Sequence, residues 1–332
     1  MGELASDSAG SGGLAERLAV VLRKEWGDQG LTVAGLRRLT GGASRETWAF
    51  DAVRGSGERA ALILRRDPPG TERPGGMSNE AAALRAAASA GVPEPELFVN
   101  SDDPAVLGSA FMIMERVEGE TIARRILRDP EYAKARETLA FRCGEILARI
   151  HSIPTADVPG LPVLDQLANC EQGLRDLDEP HPVLELGLRW LKVHAPPAST
   201  GRTVVHGDFR NGNLIIGEDG VRGVLDWEIT HIGDPAEDLG WLCVKAWRFG
   251  APAPVGGFGS YEQLLEGYRA GGGRHIDLES VRWWEALGTL RWGLGCIGQA
   301  RRHLEGSVRA VELAAIGRRA CEQEWGLLKL IR

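Results

Sequence analysis

One segment near the middle of the chain restricts the possible folds more than any other. Residues 204–216 read VVHGDFRNGNLII, which is a short apolar run, a densely polar loop and a second apolar run. A third β-type run over 221–225 follows the turn-forming residues 218–220. The pattern predicts an antiparallel hairpin and bounds the polar loop on both sides by buried core.

Three oxygen-bearing side chains meet at one end of this hairpin if it forms. Asp208 lies in the loop, Asn213 opens the second run, and Asp226 closes the third. Two carboxylates about 4 Å apart repel by about 4 kcal/mol at an effective dielectric constant of about 20, so such a cluster requires a cation or a shared proton. Aspartate and asparagine oxygens suit Mg²⁺, which keeps waters and recruits phosphate oxygens. The cluster therefore predicts a magnesium site that holds a nucleotide.

The N-terminal part of the chain carries the signals of a small sheet with helices. Helical patterning over 14–26 is followed by β-type residues broken by glycines over 31–61, which favours an antiparallel sheet. We expect a buried strand at 60–64, an alanine-rich helix at 78–90 and a short apolar strand at 111–114.

Helical patterning dominates the remainder. Apolar residues over 139–150 recur at the spacing of an amphipathic helix. Further helices are expected to open near Asp234, Ser260 and Asp277, and a last one from Ser307.

These patterns predict an α+β fold in three parts. We expect a flexible Ser- and Gly-rich tail over 1–13, a sheet-containing N-terminal lobe over 14–116 and a mainly helical C-terminal lobe over 117–332.

Composition excludes several classes of protein. Acidic residues number 46 against 39 basic ones, and the resulting net charge of −7 repels nucleic-acid phosphates and anionic lipid. The 5 cysteines are widely spaced, which is typical of buried thiols in a reducing compartment rather than of a disulfide scaffold. The sequence carries neither a signal peptide nor an apolar run of about 18 residues, so we expect a cytoplasmic protein that binds neither nucleic acid nor membrane.

The order of the polar residues carries a family resemblance. Asp208 and Asn213 have the spacing of the protein-kinase catalytic loop, H-R-D-x-x-x-x-N, and Asp226 follows on a strand as in D-F-G. The version here, HGDFRNGN with LDWE and GDPAEDLGW, resembles the aminoglycoside phosphotransferase and choline kinase branch of that superfamily. The stretches TGGASRETW and LRRDPPG look most like the kinase-like domains associated with acyl-CoA dehydrogenases. The resemblance implies a two-lobe protein-kinase-like fold, with ATP between a small antiparallel-sheet lobe and a mainly helical lobe.

The resemblance also implies roles for individual residues. Asp208 would accept or orient the proton of a substrate hydroxyl, and Asn213 and Asp226 would hold Mg²⁺ on the ATP phosphates. Backbone N–H groups of one short segment would cover those phosphates: Gly41, Gly42, Ala43 and Ser44. The implied reaction is transfer of the γ-phosphoryl group to a hydroxyl of a small molecule.

An arginine stands where the family places its phosphate-contacting lysine. Arg65 takes that position and Glu80 takes the position of its helix-borne partner. A guanidinium is planar and unlike an ammonium, so Arg65 either binds phosphates in bidentate fashion or marks a non-catalytic, nucleotide-binding pseudokinase. A metal-dependent hydrolase with His206, Asp208 and Asp226 as ligands is the other alternative.

Two chemical classes of phosphoryl acceptor are consistent with the sequence: one is the aminoglycosides, and the other is hydroxylated acids or acyl compounds. The resemblance to domains associated with acyl-CoA dehydrogenases favours the second class. Trp283, Trp284 and Trp292 lie near Arg282 and Arg291. This grouping indicates core packing of a helical lobe; the alternatives are a cation–π cage for a quaternary amine and arginines that hold an acidic substrate.

Several polar residues have structural interpretations. We expect His206 to anchor the loop and Asp234 to cap a helix in a capping box completed by Glu237. Asp238 on the same first turn is placed to bond back to the catalytic loop, and GGFG over 256–259 reads as a surface turn. For Glu228, the alternatives are a role beside the metal site and a solvated surface residue.

Overall fold

The computed structural model describes residues 6–39, 45–68, 70, 76–197 and 201–332. The chain divides into two compact units, the first formed by Met1–Ser89 and Glu94–Glu118 and the second by Ala90–Pro93 and Gly119–Arg332.

The first unit is built on an antiparallel sheet. Its strands are β1 (Thr32–Leu39), β2 (Glu46–Val53), β3 (Arg59–Arg66), β4 (Leu97–Ser101) and β5 (Phe111–Glu115), and its helices are α1 (Ser6–Trp26), α2 (Ser78–Ser89) and α3 (Pro104–Leu107). The sheet order is β1-β2-β3-β5-β4, and each neighbouring pair is antiparallel.

Helix α1 and the sheet share one hydrophobic core. Leu14, Leu18 and Leu22 recur every fourth residue, so they form one face of α1, and all three are buried. Phe50 of β2 and Leu64 of β3 are buried in the same cluster. Each such side chain contributes about 1.5–3 kcal/mol through removal of apolar surface from water.

Helix α1 and strand β4 of this unit differ from expectation. Helix α1 begins at Ser6, eight residues before the helix expected from 14, in a segment assigned to a flexible tail. Extension of an existing helix needs no new nucleus, so weak helix formers can continue it. Strand β4 was not expected, because Leu97–Ser101 is short and its residues are half-buried at the edge of the sheet.

The second unit is mainly helical. Its helices are α4 (Ala123–Arg128), α5 (Ala133–His151), α6 (Gln166–Asp176), α7 (Pro182–Val193), α8 (Ala236–Cys243), α9 (Tyr261–Ala270), α10 (Leu278–Leu304), α11 (Val311–Gly317) and α12 (Ala320–Leu330). Its strands are β6 (Thr203–Val205), β7 (Leu214–Gly217), β8 (Gly220–Val224) and β9 (His231–Gly233). The predicted α+β class, with an antiparallel sheet first and helices after it, is confirmed.

The hairpin expected from the sequence forms. Strands β7 and β8 pair antiparallel, with Leu214 opposite Val224. Strand β6 pairs with β9 instead, with Val204 opposite Ile232. The polar loop therefore connects two small sheets, one on each side.

Helix α5 packs on α9 at very close range. The apolar stripe expected over 139–150 is buried along α5. A Cβ added at Gly267 of α9 would overlap the carbonyl oxygen of Phe141 on α5. The missing side chain of Gly267 therefore lets the two backbones approach.

Candidate active site

The loop between β6 and β7 brings the predicted polar residues to one end of the hairpin. The N–H of Leu225 donates to Asn213 O at 2.8 Å, which extends the ladder of β7 and β8 by one pair. Asp226 is the next residue, so it and Asn213 lie at the same end. Asn213 Nδ2 in turn donates to Asp208 Oδ2 at 2.6 Å.

Three side chains donate to the carboxylate of Asp208. Trp241 Nε1 donates to Oδ1 at 2.8 Å, and Arg210 Nε lies 3.0 Å from Oδ1 and 3.2 Å from Oδ2. Asn213 supplies the third donor. Charge-assisted bonds of this kind fix the orientation of a carboxylate. The side chain keeps 17% of its surface exposed, which leaves room for a substrate hydroxyl.

The side-chain oxygens of Asn213 and Asp226 are suitable ligands for a magnesium ion. Within the described residues, both side-chain hydrogen bonds of Asn213 use Nδ2, to Asp208 O at 3.0 Å and to Asp208 Oδ2, so the side-chain oxygen can ligate a cation. Asp226 adopts φ of 70°, a left-handed backbone that is unusual for a non-glycine residue and concentrates at functional sites. The described residues contain no cluster of three or more His, Cys, Asp or Glu side chains suited to a metal. An ion held by one amide and one carboxylate would complete its shell with phosphate oxygens and water, which is the usual mode for Mg²⁺.

A fully buried carboxylate organises the start of the loop. Asp238 of α8 accepts hydrogen bonds from the backbone N–H groups of His206 at 2.8 Å and Gly207 at 2.9 Å. His151 Nε2 lies 3.1 Å from the same carboxylate. Burial alone would raise the pKa of Asp238, but these partners hold the pKa below its usual value. The interpretation that Asp238 bonds back to the loop is correct.

His206 is an anchor of the loop, as expected. Its Nδ1 accepts from the N–H of Asp208 at 3.1 Å, so its Nε2 carries the proton and donates to Leu225 O at 3.1 Å. Burial lowers the pKa of His206, although the nearby carboxylates of Asp238, Asp208 and Asp226 oppose that shift. A neutral ring bonded on both sides holds the loop against the hairpin.

The expected capping box at α8 does not form. Asp234 Oδ1 accepts from the N–H of Ala236 at 2.9 Å, so the aspartate does cap the chain before the helix. Glu237 does not return the bond. Its carboxylate instead accepts from Gln166 Nε2 at 3.0 Å and lies 3.0 Å from His231 Nε2. Buried partners from other elements compete successfully for this carboxylate.

Arg291 of α10 joins three parts of the site. Its Nη2 donates to Gly207 O at 2.8 Å and its Nη1 to Glu237 Oε1 at 2.9 Å. The guanidinium also lies 4.2 Å from the ring centroid of Trp241. These contacts of Trp241, Arg291 and Arg210 were not expected from the sequence. Trp241 and Arg291 follow the loop at a distance in the chain, and only the tertiary structure brings them to it.

The glycine-rich stretch expected at the surface is a buried turn. Gly256, Gly257 and Gly259 are buried, and Gly256 O accepts from Asn211 Nδ2 of the β6–β7 loop at 2.8 Å. Gly256 has φ of 54°, a conformation that glycine adopts without strain. The turn holds the loop through this hydrogen bond, so the role of the turn is structural.

The tryptophans separate into two groups. Trp283 lies in the helical core, where its Nε1 donates to Leu191 O at 3.0 Å, and Trp284 packs edge-on against it. Trp292 instead contacts Trp247 at a centroid distance of 4.9 Å, and Trp247 contacts Trp241 at 5.2 Å. The second group borders the β6–β7 loop. The core interpretation therefore holds for Trp283 and Trp284.

In the first unit, Glu80 joins two arginines. Arg65 Nη1 lies 2.7 Å from Glu80 Oε1, so the pairing expected from the sequence is present. Arg45 pairs with the other oxygen of Glu80 and also lies 3.0 Å from Asp67 Oδ1. Arg45 was not expected, although it directly precedes β2.

The predicted phosphate-covering residues all lie outside the described residues: Gly41, Gly42, Ala43 and Ser44. Glu228 is exposed.

Comparison with known proteins gives a family match over most of the chain. The model of a family described as "Phosphotransferase enzyme family" matches residues 35–284. Mouse acyl-CoA dehydrogenase family member 10 is 31% identical over 199 residues, which is 55% of this chain and 18% of that protein. An Arabidopsis thaliana protein assigned as acyl-CoA dehydrogenase IBR3 is 34% identical over 229 residues, which is 61% of this chain and 27% of that protein. The chain thus spans less than a third of either relative.

Solved structures share the fold. A Ralstonia eutropha JMP134 protein assigned as an aminoglycoside phosphotransferase superposes with a TM-score of 0.73 at 22% identity, covering 95% of this chain and 97% of that one. An aminoglycoside phosphotransferase solved as a ternary complex with AMP-PNP and hygromycin B gives a TM-score of 0.63 at 16% identity, covering 94% of this chain and 98% of that one. The resemblance to the aminoglycoside phosphotransferase branch is confirmed, as is the kinase-like fold. In the described part of the chain, every helix is too short or too polar to cross a bilayer.

Proposed function

Because the chain belongs to the phosphotransferase enzyme family, we propose that it transfers the γ-phosphoryl group of Mg·ATP to a hydroxyl of a small molecule. The observation that carries the proposal is the carboxylate of Asp208, which three donors hold in one orientation while part of it stays exposed. A fixed, accessible carboxylate is what alignment of an attacking hydroxyl requires.

The reaction needs little covalent chemistry from the protein. The acceptor oxygen forms a bond to the γ-phosphorus while the bond from that phosphorus to the β,γ-bridging oxygen breaks, and ADP leaves. Asp208 orients the acceptor hydroxyl and takes its proton at a carboxylate oxygen. Trp241 and Arg210 keep that carboxylate in place. Asn213 and Asp226 would hold Mg²⁺, which when bound neutralises charge on the phosphates.

Residues of the first unit support the nucleotide side of the proposal. Glu80 pairs with the guanidinium of Arg65, a planar group that binds phosphate oxygens in bidentate fashion. We propose that Arg65 contacts the phosphates in this way, and that the segment Gly41, Gly42, Ala43 and Ser44 covers them.

Among acceptors, we propose hydroxylated acids or acyl compounds before aminoglycosides. The support is the match to two acyl-CoA dehydrogenase proteins, each more similar in sequence than the phosphotransferase structures compared.

The test is a product screen by mass spectrometry. Candidate alcohols are incubated with the protein and Mg·ATP, and phosphorylated products gain about 80 daltons. The Asp208→Asn variant should lose turnover by about 100-fold or more and keep nucleotide binding, since loss of a general base typically removes about 10²–10⁴-fold. Asp219→Asn, an exposed change in the β7–β8 turn, is the matched control and should keep full activity.

Two other outcomes would replace the proposal. Binding of Mg·ATP without turnover on any acceptor would favour a pseudokinase. A metal retained after dialysis, with no effect of nucleotide on melting, would favour a hydrolase.

A further inference from the structure

A cavity of about 760 Å³ lies in the second unit, and its lining residues differ from the loop residues described above. Its walls come from the start of α4, the segment after α8, and residues 319–325 at the start of α12. This volume lies within the range of about 300–1,000 Å³ that is typical of small-molecule sites.

The lining of this cavity is basic, although the chain as a whole carries a net charge of −7. Arg124, Lys245 and Arg319 face it, against one acidic residue, Glu322. Glu322 Oε2 lies 3.3 Å from Arg319 Nε, so that pair is neutralised. Arg124 and Lys245 are exposed, and within the described ranges their side chains make neither a hydrogen bond nor an ion pair. Two unpaired cations therefore remain to attract an anion.

The same cavity exposes apolar side chains. Ile122, Phe249 and Trp325 line it and are 51%, 36% and 53% exposed. Large apolar groups exposed together in a concave surface are typical of a ligand-binding site. The cavity thus offers charge to one part of a ligand and apolar surface to another.

One wall of the cavity also touches the catalytic loop. A Cβ built on Gly212, between Asp208 and Asn213, would lie 4.0 Å from Phe249 Cζ. Trp247, from the same short segment, has its ring centroid 4.6 Å from the guanidinium carbon of Arg210. Phe249 has φ of 46°, so its backbone is held in a conformation that non-glycine residues rarely adopt.

We propose that this cavity binds the phosphoryl acceptor, and that the acceptor is an amphipathic organic anion. Its carboxylate or phosphate group lies at Arg124 and Lys245, and its apolar portion lies on Phe249 and Trp325. The inference rests on the proposed function, because the acceptor hydroxyl must reach Asp208. Polycationic aminoglycosides are repelled by the same lining.

The experiment measures binding by calorimetry on the full chain without nucleotide. The probes are 3-hydroxydecanoate, its neutral methyl ester, decyl phosphate and kanamycin. The variants are Lys245→Gln and Arg124→Gln, and the control is Lys134→Gln, an exposed lysine of α5 outside the cavity.

We expect an anionic probe to bind at least about tenfold more tightly than the methyl ester, since charge-assisted hydrogen bonds are the strong ones. Each cavity variant should weaken that binding by about tenfold, and Lys134→Gln should not change it. Preference for 3-hydroxydecanoate or for decyl phosphate identifies the anionic group as a carboxylate or a phosphate.

Three results would overturn the inference: absence of binding by both anions, equal binding of acid and ester, or unchanged affinity in both cavity variants. Tighter binding of kanamycin than of either anion would do the same. Failure of the proposed function is distinguishable, because it appears as intact anion binding without phosphoryl transfer to any alcohol. Transfer to a neutral alcohol without anion binding would leave the function standing and remove the cavity assignment.

Discussion

Replacement of Asp238 by asparagine tests how the catalytic loop is held. The carboxylate accepts two backbone N–H bonds, at 2.8 and 2.9 Å, one on each oxygen. An asparagine has one acceptor oxygen, so its NH₂ group must face either the N–H of His206 or that of Gly207. Each buried donor left unpaired costs about 1–3 kcal/mol. In the variant, the asparagine NH₂ group and the backbone N–H that it faces are both donors, so neither has an acceptor there. The charge that stabilises both bonds is lost as well.

We therefore expect Asp238→Asn to destabilise the second unit by about 3–5 kcal/mol. In a unit of this size, each kcal/mol of destabilisation lowers the melting temperature by about 2–4 °C, so the melting temperature should fall by about 10 °C. Circular dichroism melting measures this shift, and turnover should fall with it because Gly207 precedes Asp208.

The control is Asp234→Asn, whose amide oxygen can still accept from the N–H of Ala236. That variant should melt within about 2 °C of the wild type, since a cap retained by asparagine loses little. An Asp238→Asn protein that melts with the wild type would refute the assignment of Asp238 as the support of the loop.

Three further predictions concern packing, thiols and pH. Gly267→Ala should destabilise by about 2–3 kcal/mol in urea unfolding, because the added Cβ overlaps Phe141 O, whereas Gly298→Ala in open space should not. The exposed Cys321 should react with a thiol reagent in the native protein, and the buried cysteines should react after unfolding; rapid native reaction of a second thiol would contradict the burial. Burial lowers the pKa of His231, but the carboxylate of Glu237 outweighs burial and raises that pKa. The His231–Glu237 pair therefore stabilises the fold fully below about pH 6.5, and this stabilisation is lost as the pH rises through the raised pKa. The melting difference between wild type and His231→Gln should accordingly be larger near pH 5.5 than near pH 8.5, and the reverse order would be inconsistent with this pairing.

Local sequence predicted those parts of the site that depend on neighbouring residues. The hairpin follows from two β-type runs and a glycine-containing turn, and it alone places Asn213 beside Asp226. Strand β9 has three residues and no local signal, since its strand character depends on pairing with β6.

Residues distant in the chain could not be assigned in this way. Trp241 reaches Asp208 only because α8 packs against the loop, and Arg291 reaches Gly207 from α10. The capping box at Asp234 was wrong because local spacing cannot show that Gln166 and His231 compete for Glu237. The surface assignment of the glycine-rich turn was wrong for the same reason, since its partner Asn211 is 45 residues away.

The shared carboxylate of Glu80 has a mechanical consequence for helix α2. Arg45 and Arg65 hold separate oxygens of one side chain, and Glu80 is buried. A rotation of α2 about its axis would break both ion pairs in a single step and remove both arginines from the buried carboxylate of Glu80, at a cost of several kcal/mol. The orientation of α2 relative to β3 is therefore fixed, and regulation by a rotation of α2 is disfavoured in this chain.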